Sequence, residues 1–394
     1  MSLVSEDKET IGVILLNLGG PSSLGEVRPF LQNLFSDREI IKLGPEFLQK
    51  PIAHLISVLR SKKTEKMYSL IGGKSPILDI TMAQAKALED SLNLYDTEKW
   101  RHGETESHDF TDSPSHRVTD SQFKVYIGMR YSPPFIKDTV ERILRDGVKH
   151  LIVLPLYPHY SKATTGSAIT EFKKYVAGYR LQVAGLKIHY IEQWYDFPPY
   201  IDALAELIAK GIAEFNENLP LSPFSKGGFG GGEPFSKGGF EKIPPLAKGG
   251  EGGFGEQGGI TLLYSAHNLP ESFINKGDPY LEHIKTTIRE VNKKLSIPLH
   301  PLKWHLSFQS KSGPVKWLKP TTEETIIKLA KTGVKNLFVV PISFVSDNIE
   351  TLYEIDILYK RLAEKHGINF KRCECLNTSE KFIEAMKELV MRGI

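Results

Sequence analysis

Apolar residues fall in short unbroken runs along this chain, and each run ends in a loop marked by proline, glycine or small polar residues. Eight runs recur: IGVILLNL (11–18), FKVYIGM (123–129), HLIVLPL (150–156), KIHYIEQ (187–193), ITLLYSA (260–266), WHLSF (304–308), NLFVVPISF (336–344) and INFKRCE (368–374). Between them lie stretches with apolar residues at helical spacing, among them LDITMAQAKALEDSL, PFIKDTVERIL, TTEETIIKLAKTG and KFIEAMKELVMR. Near-continuous apolar strands alternating with amphipathic helices predict parallel sheets covered on both faces. Four runs on either side of a long gap predict two similar α/β domains, each with a four-stranded, mainly parallel sheet.

Two segments break the alternation. Residues 96–120 hold three histidines but almost no apolar residues, which reads as an exposed polar loop or, through its histidines, a metal-binding one. In residues 222–259, FSKGG occurs at 224–228 and again at 235–239, and 14 of the 38 residues are glycine. Such a stretch cannot offset its ordering entropy through burial, so a disordered surface insertion is expected.

In folds of this kind ligands sit beyond the carboxyl ends of the strands, often between domains. The loops to watch are therefore NLGGP (17–21), MRYSPP (129–134), YPHYSKATTGS (157–167), SAHNLP (265–270), FQSKSGP (308–314) and SFVSDNIE (343–350). His267 stands at such a strand tip beside the small residues Ser265 and Ala266. It can accept a proton, bind a metal, or serve as a satisfied turn residue. Glu350 and Glu354 lie about one turn apart on a helix expected to start near Asn348, with Asp356 off that stripe and apolar Leu358 next on it. Two acids at this spacing also fit a plain solvated helix face. If His267 and Glu350 meet across a cleft, imidazole and carboxylate together suit a divalent ion such as Fe²⁺ or acid–base chemistry. One histidine and one carboxylate match a metal in transit better than a resident one.

The bulk numbers narrow the choice. With 50 basic against 47 acidic residues the formal charge is only +3, and no basic stripe appears, so no nucleic-acid partner is expected. Two cysteines, Cys373 and Cys375, exclude a disulfide scaffold. The start MSLVSEDKET has no basic region leading into a long apolar core, so no signal peptide is expected. No apolar run approaches the ~18 residues a membrane helix needs. The dinucleotide, P-loop and zinc-protease fingerprints are missing, and IGGKSP (71–76) is at most a weak anion-binding turn.

Seven motifs, NLGGP, IGGKSPI, GMRY, LPLYPHYS with TTGS, YSAHNLPE, FQSKSGPVKWLKP and PISFVSDNIETLYEID, resemble the ferrochelatase family in content and order. The resemblance covers roughly residues 10–95 and 121–390. It implies two Rossmann-like domains, 8–190 and 191–390, clasping a porphyrin in the cleft between them, with the C-terminal helix free to pack back on the first. It implies ferrous iron inserted into protoporphyrin IX to give protohaem, the terminal step of haem biosynthesis. Fe²⁺ is then a substrate, and no tightly bound cofactor is expected. By resemblance His267 and Glu350 are the catalytic pair and iron contacts, Glu354 a relay behind them, and Arg130, Tyr131, Ser75 and Tyr157 porphyrin contacts. Tyr157 fits a packing aromatic as well, and His159 shares its cleft-facing loop.

The chain departs from the family pattern at Asn348, where a histidine is common, and Leu358 shortens the acidic ladder; both bear on the iron route. Animal members carry a C-terminal iron–sulfur cluster, and with only two cysteines none is expected here. Residues 43–71 resemble the family's active-site lip, with Phe47, Leu48, Ile52, Leu55, Ile56 and Leu59 at helical spacing before RSKK. Such a face can rest on an anionic membrane surface, cap the pocket, or pack on the domain. The expected location is cytoplasmic, with peripheral contact at the inner membrane face. Rival readings are a coproporphyrin III chelatase, a non-catalytic haem carrier, and a bilobal binding protein.

Overall fold

Parallel strands buried on both faces need apolar residues without alternation, and the runs supply them. In the computed structural model, which describes residues 10–101, 122–179, 185–217, 259–299, 303–311, 313 and 315–394, all eight runs form strands. These are β1 (Thr10–Asn17), β2 (Gln122–Met129), β3 (His150–Pro155), β4 (Lys187–Tyr190), β5 (Ile260–His267), β6 (Trp304–Gln309), β7 (Asn336–Val340) and β8 (Asn369–Arg372). They build two four-stranded sheets, β2-β1-β3-β4 and β6-β5-β7-β8, and every pairing is parallel. Several strands stop short of their apolar runs. β7 ends at Val340 because Pro341 has no N–H for the ladder.

Helices cover the sheets. The first half holds α1 (Val27–Ser36), α2 (Glu46–Ser69), α3 (Ile77–Arg101), α4 (Ile136–Arg145) and α5 (Ser167–Gly178). Then follow α6 (Pro198–Glu217), α7 (Glu271–Ile274), α8 (Tyr280–Leu299), α9 (Thr322–Lys331), α10 (Lys360–Lys365) and α11 (Glu380–Arg392). α4 buries Ile136, Val140 and Ile143 at helical spacing, and α9 starts at a capping box in which Thr321 and Glu324 satisfy each other's backbone N–H groups. The polar segment expected as a loop from 96 instead continues α3 to Arg101. Its remainder, 102–120, and the glycine-rich residues 222–258 lie outside the described residues.

One apolar core runs across the boundary expected at 190/191, from Val13, Leu15 and Leu88 to Tyr264, Phe338 and Phe382. Trp194 is its joint. The indole N–H donates to the Pro155 carbonyl at 3.1 Å, and the ring stacks on Phe382 of α11. α11 thus packs against α6 and against α3 of the first half. Gly211 lets α6 approach β7, since a Cβ there would lie 2.6 Å from Phe338 Cζ. Gly211→Ala is expected to cost about 1–2 kcal/mol, the overpacking exceeding the gain in helix propensity. A urea melt measures it.

α2 inverts the usual rule. Its buried face is Gln49, Ala53, Ser57 and Ser61, while Phe47, Leu55 and Leu59 are 77%, 57% and 72% exposed. Gln49 is fully used there, its amide donating to the carbonyls of Phe35 and Ile41. Among the described residues no helix is long and apolar enough to cross a membrane.

Candidate active site

In each sheet the strand order reverses beside the first strand of that half, which opens a crevice at the carboxyl end. In the second sheet this crevice lies between β5 and β7, and β5 ends on His267. The His267 N–H donates to Ser343 Oγ at 2.8 Å, and its carbonyl accepts from the Tyr280 hydroxyl at 2.9 Å. With the backbone held on both sides, the ring stands edge-on to Phe344 and sets Nδ1 2.8 Å from Glu350 Oε2. The expected meeting of His267 and Glu350 is thus present.

The helix expected to start near Asn348 is a π-helix, Glu350–Tyr359, which Glu350 opens. Its wider winding, with i→i+5 bonding, keeps residues four apart nearly in line, so Glu350 and Glu354 still share a face. Asn348 caps the entry by accepting the Glu350 N–H at 2.8 Å. Leu358 ends the stripe 43% exposed.

Ser310 completes the group. It follows β6 directly, in the left-handed region at φ 69°. Its hydroxyl lies 2.8 Å from Glu350 Oε2 and 2.5 Å from Glu354 Oε2. A single hydroxyl proton cannot serve both contacts, so one carboxyl must carry a proton of its own. Burial, and then the charge of Glu350, push the Glu354 pKa up to about 7, against the pull of Ser310 and His267. Glu354 is therefore held toward its protonated form, and Glu354, Ser310, Glu350 and His267 form one hydrogen-bonded row.

Burial lowers the His267 pKa, but the charge and hydrogen bond of Glu350, with Glu354 behind, outweigh it and the ring pKa is raised. Nδ1–H donating to Glu350 leaves Nε2 as the accepting nitrogen on a ring 39% exposed. Because Glu354 helps raise this pKa, Glu354→Gln is expected to move the His267 titration to lower pH. An NMR titration of the ring reads the shift; no movement would remove Glu354 from its surroundings. Among the described residues no group of three or more His, Cys, Asp or Glu is disposed to hold a metal ion. His267 and Glu350 offer two donors, an imidazole nitrogen and a carboxylate.

The first half brings other residues near. Gly19 turns with φ 83°, and Gly20 passes so close to Ser75 that a Cβ would meet Ser75 Cβ at 2.5 Å. Ser75, 5% exposed, is thereby pinned at the end of β1, where its N–H donates to the Pro21 carbonyl. The Tyr68 phenol, hydrogen-bonded to the Ser75 side chain, has its pKa raised by burial first and by the charge of Glu350 second. Ile349, beside Glu350, packs on the α1–α2 cluster of Val27, Phe30 and Ala53. Both halves thus converge on the acid pair.

Arg130 and Tyr131 follow β2, but their polar atoms are engaged within the chain. The Arg130 side chain is 8% exposed and its guanidinium pairs with both Asp37 and Glu171. The Tyr131 hydroxyl donates to Asp37 at 2.6 Å. Tyr157 is half-buried within the field of Arg130. His159, in the loop expected to face the cleft, is instead 2% exposed and bonded to Thr287 at 3.0 Å, tying the halves together. Ser310, in the loop 308–314, and Tyr68, in the segment 43–71, are site neighbours that were not among the expected site residues. The strand-end rule points to Ser310; Tyr68 carries no comparable signal.

The ferrochelatase family model matches residues 10–223 and 246–394, skipping most of the glycine-rich repeat. The ferrochelatase of Geotalea uraniireducens is 42% identical over 98% of this chain and 98% of its own length. That of Synechocystis is 40% identical over 98% of this chain and 82% of its own. A solved structure of SirB from Bacillus subtilis with Fe³⁺ aligns at 10% identity and TM-score 0.48, covering 98% of this chain and 95% of that one. With the family match spanning both halves and the motifs in order, the chain belongs to the ferrochelatase family.

Proposed function

We propose that this protein inserts ferrous iron into protoporphyrin IX to give protohaem, with His267 and Glu350 as the working pair. The observation that carries the reading is the 2.8 Å contact between these two side chains at the crevice of the second sheet. Insertion exchanges two pyrrole N–H protons for one Fe²⁺. His267 Nε2 accepts the first proton, and Glu350 stabilises the imidazolium through Nδ1. The Nδ1 proton passes to Glu350 and through Ser310 to Glu354, which has given its own proton to water. Once the proton left on Nε2 returns to Nδ1 through water, the ring accepts the second pyrrole proton and passes it on by the same route. The freed carboxylate of Glu350 is a ligand for entering iron. A ring that already carries both protons cannot act as base, so activity falls as pH drops through the raised His267 pKa.

On this reading Ser75 and Tyr157 contact the porphyrin from the first half, with Tyr68 bonded behind Ser75. The outward Phe47, Leu55 and Leu59 of α2, with Lys50, Lys62 and Lys63 exposed beside them, support peripheral contact with an anionic membrane surface at the cytoplasmic face. A greasy substrate and product would then pass directly between membrane and cleft.

The test is anaerobic Fe²⁺ insertion into protoporphyrin IX and coproporphyrin III in parallel, followed by absorbance. Faster protohaem formation supports the proposal. Preference for coproporphyrin keeps the chemistry and moves the substrate. Porphyrin binding without insertion into either ring sinks the catalytic reading.

A further inference from the structure

The segment that carries Glu350 is held from behind by one buried cation. Arg372, at the end of the edge strand β8, is 10% exposed. Its guanidinium forks onto Asp356, with Nε 2.8 Å from Oδ1 and Nη2 3.0 Å from Oδ2. Its remaining nitrogen, Nη1, lies 2.9 Å from Asp347 Oδ1 and donates to the Cys373 carbonyl at 3.1 Å. Asp347 precedes Glu350 by one short turn, and Asp356 follows it on the π-helix. We propose that Arg372 is a positioning residue for Glu350, tying together the two ends of the segment that presents this carboxylate to His267.

The geometry makes the tie selective for the winding. Over the six residues from Glu350 to Asp356, α and π windings diverge by roughly a third of a turn. A carboxylate that meets the planar fork in one winding misses it in the other. π-Helical turns are rare and need support from outside the helix, which Arg372 supplies at both ends. Asp347 adds a second anchor. Its N–H and its carboxylate both bond the Asn377 side chain, at 2.9 and 2.8 Å, and its carboxylate accepts the Thr351 hydroxyl. None of these residues faces His267, so their effect on the reaction runs through the placement of Glu350.

The test uses the full chain as wild type, Arg372→Met, Arg372→Lys and Asp356→Asn. In R372M, hydrogen exchange of the amides over 347–359 is expected to quicken about tenfold or more while β5 and β7 keep their rates. The kcat for iron insertion falls roughly a hundredfold, with KM and Kd for porphyrin within about twofold of wild type. R372K keeps the charge without the fork and falls between. D356N, with its aspartate side chain 36% exposed, gives the same pattern more mildly and serves if R372M does not fold. Unchanged exchange over 347–359, or porphyrin binding weakened as much as turnover, overturns the proposal. The inference rests on the ferrochelatase reading, and the two fail separately. A wild type that inserts no iron removes that reading, while the exchange measurement judges the tie without any turnover.

Discussion

His267→Ala is expected to lower iron insertion by roughly a hundred- to ten-thousandfold, the range lost with a general base, while porphyrin still binds. The fold should tolerate the change. The bonds from Ser343 and Tyr280 reach the backbone of residue 267, not its ring, so the strand end stays fixed in the variant. The ring is 39% exposed, so little packing is lost. What disappears is the only imidazole in contact with Glu350 among the described residues, and with it the nitrogen left free to accept a proton. Porphyrin fluorescence reads binding, and absorbance of the metallated ring reads turnover. Insertion within about threefold of wild type, far inside the range for a lost base, would move the proton acceptor elsewhere, with Glu350 the next group to replace.

Arg130→Met is expected to act on stability rather than on chemistry, at about 3–5 kcal/mol, the cost of stranding buried charges. The guanidinium lies between Asp37 and Glu171, whose side chains are only 12% and 21% exposed. Removing it leaves two carboxylates facing each other's charge with little water to screen them. The Tyr131 hydroxyl, which donates to Asp37, can soften but not cancel that cost. Asp37 follows α1 and Glu171 lies in α5, so the arginine joins two layers around the end of β2. Denaturant midpoints for R130M and R130K measure the effect. A loss under about 1 kcal/mol, the scale of an exposed pair, combined with weakened porphyrin binding, would assign the arginine to the ligand instead.

The sheets were legible in the sequence because a parallel strand buried on both faces leaves an unbroken apolar run. The edge strands β4 and β8 are half exposed, and their runs overstated them: KIHYIEQ reaches past Tyr190, and INFKRCE past Arg372. His267 and Glu350 were legible as strand-end residues that could meet, and the acids at 350 and 354 as one face. The winding beneath them was not, since residues four apart align almost equally in α and π turns. Pairings across long stretches of chain left no local pattern either. Arg130 meets partners 93 and 41 residues away, so a motif that presents it as a free cation could not reveal them. Ser310 is hidden for another reason. Its role depends on a backbone angle that a serine rarely adopts, and only the folded turn shows it.

The packing of α11 on α3 and Trp194 bears on how the chain is made. During synthesis the N-terminal sheet leaves the ribosome first, yet the side of α3 that meets α11 waits uncovered until residues 380–392 emerge. The halves cannot mature one after the other as independent beads. A ribosome stalled between β8 and α11 would release a chain with both sheets formed and one greasy flank still open, which is a client for chaperones rather than a smaller enzyme.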